Sequence, residues 1–246
     1  MKALFHAYAM CQSMFCAIPF PGRIWDDDAR GKMLLFLPLV GLEIGIVWAA
    51  LLWLGQLLAL PALVRGAVLC AYPFLITGFI HLDGFMDVTD AVKSWRDLER
   101  RREILKDSHV GSFSVIGCIL LMLTQFALLA SATDRIPVWI LTLVPVVSRC
   151  GSVLAISILP AMHTSQYSNQ EKPRSQILVM ALVLLAAAAA GFLWGGRYGF
   201  VLIGGMVGYG LALRRAYRSL EGMNGDISGY GITIGELTAI LCLAVL

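Results

Sequence analysis

Met33-Leu-Leu-Phe-Leu-Pro-Leu-Val-Gly-Leu-Glu-Ile-Gly-Ile-Val-Trp-Ala-Ala-Leu-Leu-Trp-Leu-Gly-Gln-Leu-Leu-Ala-Leu60 carries one charged residue, Glu43, and reads as a membrane span. An α-helix rises about 1.5 Å per residue, so roughly 20 apolar residues cross a hydrocarbon layer about 30 Å thick. The stretch lacks period-2 alternation, which favours a helix over a barrel strand. The same ruler selects residues 63–80, 113–132, 138–159, 177–194, 200–213 and 232–246. The last two are short, and 200–213 is dense in glycine; they are expected to be tilted, half-buried or longer than drawn. The fold class is therefore all-α: a polytopic integral membrane helical bundle of about seven transmembrane helices, with residues 1–246 as a single domain.

Composition agrees. Of 246 residues 59% are hydrophobic and only 14% charged, where a soluble domain usually carries about a quarter. Mean hydropathy is +0.78. Disorder is excluded by the same figures. A net charge of +3, dispersed among apolar runs, excludes nucleic acid as a partner. Six scattered cysteines form no C-x-x-C pair and read as packing residues in a reducing setting. Residues 1–20 show no evident small-residue cleavage site and are expected to form an interfacial or half-inserted N-terminal helix.

The basic residues orient the bundle. Lys2, Arg23, Arg30, Lys32, Lys93, Arg96, Arg100, Arg101, Arg102, Lys106, Lys172, Arg174, Arg214, Arg215 and Arg218 fall on one side. The other side has Arg135 and Arg197, with Arg65 near a span end and Arg149 inside a span. Positive residues mark the cytoplasm, so the long loops face inward and the C-terminus outward. The expected location is the cytoplasmic (inner) membrane. Small residues at Gly191 and Gly195, Gly204 and Gly208, and along 186–190 read as helix-packing sites.

Three polar patches lie on the cytoplasmic side. The first is His81-Leu-Asp-Gly-Phe-Met-Asp-Val-Thr-Asp90. Asp83, Asp87 and Asp90 share one helical stripe, where they repel one another unless a cation sits among them. Oxygen-only ligands suit Mg²⁺, which keeps waters and pairs with substrate phosphates. Gly84 leaves room for a ligand's close approach, and His81 is either a site residue or a structural one. On spacing alone, the stripe is equally well a solvated helix face.

The second patch, residues 96–110, places Leu98 and Leu105 among charges, as on a helix lying along the membrane surface. Lys106-Asp107-Ser108 ends it with groups suited to a phosphate or to a helix cap. The third, residues 222–231, is glycine-rich, so its backbone can wrap a phosphate closely or simply turn. Asn224, Gly225, Asp226 and Ser228 lie there, and Glu236 follows within the last span, where an acid is costly. Glu43 is as costly but has no motif around it. Convergence of the three patches at one surface suggests phosphoryl transfer involving a membrane-associated substrate.

These residues resemble a known family. His81 to Asp90 is similar to the H-L-D-G-x-x-D-x-x-D run of the cobalamin synthases, the adenosylcobinamide-GDP ribazoletransferases. Residues 103–111 resemble their E-I-[ML]-K-D-S-x-x-G run. Asn224-Gly-Asp226 with Gly235-Glu236 resembles their terminal block, and Pro38-Leu-Val-Gly41 and Ser148-Arg149 match two weaker features. Departures are Asn224 in place of Thr, Thr233 in place of a first glutamate, no Thr-Arg pair in 15–21, and no Arg-x-x-Gly-Leu-Gly run in 162–175.

The resemblance implies an enzyme that joins α-ribazole or its 5′-phosphate to adenosylcobinamide-GDP, releasing GMP and forming adenosylcobalamin or its 5′-phosphate. It implies Mg²⁺ as cofactor, held by Asp83, Asp87, Asp90 and Asp226, with one of the stripe acids available as general base. Lys106 would meet a phosphate oxygen, and His81, Gly84, Asp107, Ser108, Asn224, Gly225, Asp226 and Glu236 would contact substrate. The expected partners are the two substrates and the lipid bilayer, and a homo-oligomer stays open. Two rivals are a CDP-alcohol phosphatidyltransferase, whose D-G-x-x-A-R pattern is absent, and a divalent-cation transporter, which would spread acids through several spans.

Overall fold

The computed structural model describes residues 2–20, 22, 24–163, 165 and 174–246. Arg23, Lys172 and most of the 162–175 loop, all used above, lie outside the described residues. Eleven α-helices occur among those described: α1 (Lys2–Phe15), α2 (Asp27–Arg30), α3 (Leu37–Leu57), α4 (Ala62–Ile76), α5 (Ile80–Lys93), α6 (Leu98–Ile104), α7 (Ser112–Ala132), α8 (Ile140–Ile158), α9 (Arg174–Gly195), α10 (Gly199–Leu220) and α11 (Gly225–Val245). No β-strand is present among them; a single backbone bridge pairs Ala161 with Met223. The protein is a polytopic membrane helical bundle.

Five apolar runs are long enough to cross a membrane, or six if the bent pair α4–α5 counts as one. One run, Arg174–Leu220, is 47 residues long, more than twice what a bilayer needs. It folds back where Gly196 takes φ +53°. Leu184 and Ala188 of α9 then face Leu202 and Met206 of α10. Helix α10 runs on to Leu220 and α11 starts at Gly225, so both segments that looked short are full-length helices.

The span expected over residues 63–80 is corrected. Helix α4 stops at Ile76, and α5 leaves it at 88°. Gly78 (φ +58°) and Phe79 (φ +64°) are both left-handed, and the Phe79 amide donates to the Phe74 carbonyl at 2.9 Å, a glycine-terminated helix end. Helix α5 thus turns away from α4 and packs over the first turns of α7 and α11.

Helices α8 and α11 form the centre, and α7, α9 and α10 the rim. Helix α8 is mostly buried, whereas α7 is mostly exposed. Ile119, Leu123, Leu182, Leu185 and Val207 stand exposed, as lipid-facing side chains should. Glycines set the spacing between helices. A Cβ at Gly45 would lie 2.3 Å from the Thr142 carbonyl oxygen, so α3 and α8 touch backbone to backbone. Gly204 and Gly208 of α10 leave room for the Cys242 and Thr238 side chains of α11. At one end, Arg65 pairs with Asp134 at 2.6 Å and Gln56 donates to the Thr133 carbonyl at 2.7 Å. At the opposite end lie α5, α6 and the head of α11.

Helix α1 buries Ala7, Met10, Cys11 and Phe15 and exposes Leu4 and Phe5. Its Tyr8 hydroxyl donates to Glu43 at 2.7 Å, which gives the isolated acid of α3 a partner.

Candidate active site

Helices α5 and α11 meet at their first turns. Gly84 sits so close to Asp226 that a Cβ would lie 2.9 Å from the Asp226 Cα and carbonyl oxygen. Gly229 packs on the His81 backbone in the same way, and the Thr233 hydroxyl donates to the His81 carbonyl at 3.1 Å. The close approach that Gly84 permits is therefore that of α11 itself. This crossing brings Asp226 to the aspartate stripe.

The carboxylates press on one another. Partial burial and the charges of Asp83, Asp226 and Asp90 push the Asp87 carboxyl up to about 7. Asp83 is exposed, while Asp87 and Asp226 are half-buried. Asp90 points toward α7, where its two oxygens accept from the Gly111 amide at 2.8 Å and the Ser114 amide at 2.9 Å. It caps α7, whose N-terminal amides otherwise lack partners. Asn224 caps α11 by accepting from the Ile227 amide at 2.9 Å, and its Nδ2 donates to Asp226 at 2.7 Å.

Among the described residues, no three His, Cys, Asp or Glu side chains converge closely enough to hold a metal ion by themselves. Mg²⁺ is usually held by one or two carboxylates, with waters and substrate phosphate oxygens completing the octahedron. Crowded carboxylates short of a counter-charge, at an accessible helix end, fit such an ion.

The remaining expected residues divide. Asp107 accepts from its neighbour His109, which holds its carboxyl below the usual range; both are exposed, as is Ser108. Lys106 lines a hollow that also reaches Asn224. His81 is buried, stacked on Phe15 with ring centroids 6.2 Å apart, and its Nε2 has no hydrogen-bond partner among the described residues. It borders a cavity of about 110 Å³ together with Gly225, Asp226, Ser152 and Ser228. Glu236 lies far from this end. It is buried in the bundle, paired with Arg149 and accepting from the Ser148 hydroxyl at 2.8 Å. Ten residues of α11 separate it from Asp226, about 15 Å along the axis.

Sequence reasoning singled out Arg149 and Glu236 separately without pairing them. Two opposite charges inside spans each need a partner, and that signal was available. Arg102 gave no comparable signal. Its guanidinium donates to the Leu220 carbonyl at 2.9 Å and the Glu221 carbonyl at 2.8 Å, clamping α6 to the end of α10.

Crowded carboxylates beside a cation-lined hollow, at the end of a membrane bundle, suit a membrane-embedded transferase of phosphate-bearing groups. The comparisons with known proteins narrow the class. The family model described as cobalamin-5-phosphate synthase matches residues 7–244, and the chain belongs to that family. A relative from Clostridium perfringens (strain SM101 / Type A) is 34% identical, covering 100% of both chains. One from Clostridium botulinum (strain Alaska E43 / Type E3) is 32% identical over 98% of this chain and 97% of its own. A third, from Desulfitobacterium hafniense (strain Y51), is 33% identical over 91% and 90%. All three are named adenosylcobinamide-GDP ribazoletransferase. No solved structure matches the chain.

Proposed function

We propose that this chain joins α-ribazole or its 5′-phosphate to adenosylcobinamide-GDP at the α5–α11 crossing. A ribazole hydroxyl oxygen attacks the phosphorus next to the corrinoid side chain. The bond to GMP breaks, and a phosphodiester forms. The observation that carries the reading is the backbone contact of Gly84 with Asp226, which joins two motifs more than a hundred residues apart into one acidic centre.

Of Asp83, Asp87 and Asp226, one or two would bind Mg²⁺ directly and the rest through its waters, with substrate phosphate in reach. When bound, the ion supplies positive charge where negative charge builds on the leaving phosphate. The protein's own groups orient the reactants. Asp90 fixes the start of α7 against α5, and Asn224 fixes the Asp226 carboxylate through its amide. One of these acids would accept the hydroxyl proton. Lys106 meets a phosphate oxygen of the substrate. The basic bias along the chain supports a location in the inner membrane with this acidic end facing the cytoplasm, where nucleotide substrates are made.

The test is a transfer assay on purified protein in lipid vesicles with adenosylcobinamide-GDP, α-ribazole 5′-phosphate and Mg²⁺. GMP and the cobalamin product should appear in equal amounts, and Asp83→Asn should reduce both by orders of magnitude. Product formation unaffected by Asp83→Asn, or no GMP release at all, would overturn the proposal.

A further inference from the structure

A hollow of about 440 Å³ opens at the acidic end, and the chemistry above uses only its edge at Lys106 and Asn224. Three connections wall it: the segment after α6, the exit of α8, and the α10–α11 turn. They are fastened together. Arg102 clamps the Leu220 and Glu221 carbonyls, and the Met162 amide donates to the Met223 carbonyl at 2.9 Å. The Met223 amide in turn donates to the Pro160 carbonyl at 2.9 Å.

The lining combines three chemistries. Pro160 and Met162 offer an apolar face for a flat ring, and Lys106 offers an ammonium for a phosphate. Glu221, an exposed left-handed residue at φ +50°, also lines the hollow, and its free side chain can turn a carboxylate toward a ligand there. An ionised carboxylate only accepts hydrogen bonds, and its two oxygens match two adjacent N–H donors. Guanine presents that pair, N1–H and the N2 amino group, on one edge. Adenine presents an acceptor at N1, which a carboxylate repels. The ribazole base has no such donors and would leave Glu221 unpaired, and a corrin ring with its side chains is far too large for the space.

We propose that this hollow binds the guanosine monophosphate half of the corrinoid substrate, with Glu221 reading the guanine edge and Lys106 meeting its phosphate. The assignment rests on the transferase reading above and adds a base-selecting residue to it. Asn224 forms the wall between the hollow and Asp226, so the phosphate of the departing nucleotide would lie beside the carboxylate centre.

Binding of GMP and AMP to the full-length protein in detergent, by equilibrium dialysis with Mg²⁺, tests the proposal apart from catalysis. Wild type should bind GMP at least about tenfold more tightly than AMP, the effect of two charge-assisted hydrogen bonds at a partly open site. Glu221→Gln should weaken GMP about tenfold and leave AMP unchanged, whereas Lys106→Gln should weaken both alike. Equal binding of GMP and AMP to wild type, or full guanine preference in Glu221→Gln, would overturn it. Transfer activity is scored separately. A wild-type enzyme that makes cobalamin but lacks guanine preference removes only the pocket assignment. Guanine preference without transfer supports the pocket and removes the reaction.

Discussion

Removing the buried Glu236 carboxylate should unfold the bundle more easily, and removing Arg149 as well should reverse most of the loss. Arg149 is 1% exposed, and its guanidinium meets Glu236 in the interior. In Glu236→Leu the cation remains there with no counter-charge. Breaking a buried pair from one side costs about 3–5 kcal/mol. For a chain of this size each kcal/mol corresponds to roughly 2–4 °C, so the melting temperature should fall by about 6–20 °C. In Arg149→Met, Glu236→Leu both charges go, while methionine keeps an apolar stem beside Gly41, where the Arg149 methylenes now pack. Such replacements are often close to neutral. The chain supplies its own reporter: Cys11 and Cys150 are fully buried, and a thiol-reactive dye in detergent will find them only on unfolding. A Glu236→Leu melt coinciding with wild type, or a double variant no better than the single, would refute the reasoning. Turnover of the double variant settles the residue's role as well: substantial activity places Glu236 in the scaffold, and a stable but inactive protein returns it to the substrate.

Three further outcomes follow from the site. The Asp87 carboxyl sits at about 7 when folded, against about 4 for an unfolded chain, so between these values the folded protein holds a proton that the unfolded chain releases. Metal-free stability should therefore fall as pH rises from about 4 to 7. Added Mg²⁺ should raise the melting temperature more at pH 8 than at pH 5, and equal shifts would count against a carboxylate-held ion. Asp83→Ala and Asp226→Ala should each cost orders of magnitude in turnover, with the pair little worse than either; multiplicative losses in kcat/KM would separate the two motifs. Gly84→Ala forces a Cβ to within 2.9 Å of the Asp226 backbone, so it should cut kcat sharply while leaving the remote Arg149–Glu236 pair and most of the melting temperature intact; wild-type kcat would show that the crossing has slack.

The helices of the bundle were readable because lipid imposes a crude rule, about 20 apolar residues per crossing, and residues 113–132 and 138–159 follow it almost to the boundary. The 88° turn after α4 was not. It depends on Phe79 accepting φ +64°, a conformation that only the surrounding packing can impose on a bulky residue. Within the site, the aspartate stripe and Asn224-Gly-Asp226 are local patterns and were visible as such. Their meeting is a tertiary fact: Gly84 and the glycines of 222–231 read in sequence as room for a ligand, and what they admit is one helix against the other. Asp90 shows the reverse case: spacing groups it with Asp83 and Asp87, yet its oxygens serve the amides of α7. Side-chain direction, unlike spacing, is decided by whichever donors the next helix brings within reach.

The pairing across α8 and α11 also sets a schedule for assembly. Arg149 and Glu236 are 87 residues apart, and α9 and α10 are synthesised between them. While the ribosome makes those two helices, α8 has to wait in or beside the insertion machinery with an unneutralised guanidinium. A charge of that kind is costly in lipid, so α8 should be released late, when α11 emerges with its carboxylate. The last helix to be made is thus the one that lets a central helix settle, and it carries Asp226 with it. A chain that stalls before α11 would keep both an unpaired cation and an unfinished acidic centre, which makes it easy for quality control to tell from a finished protein.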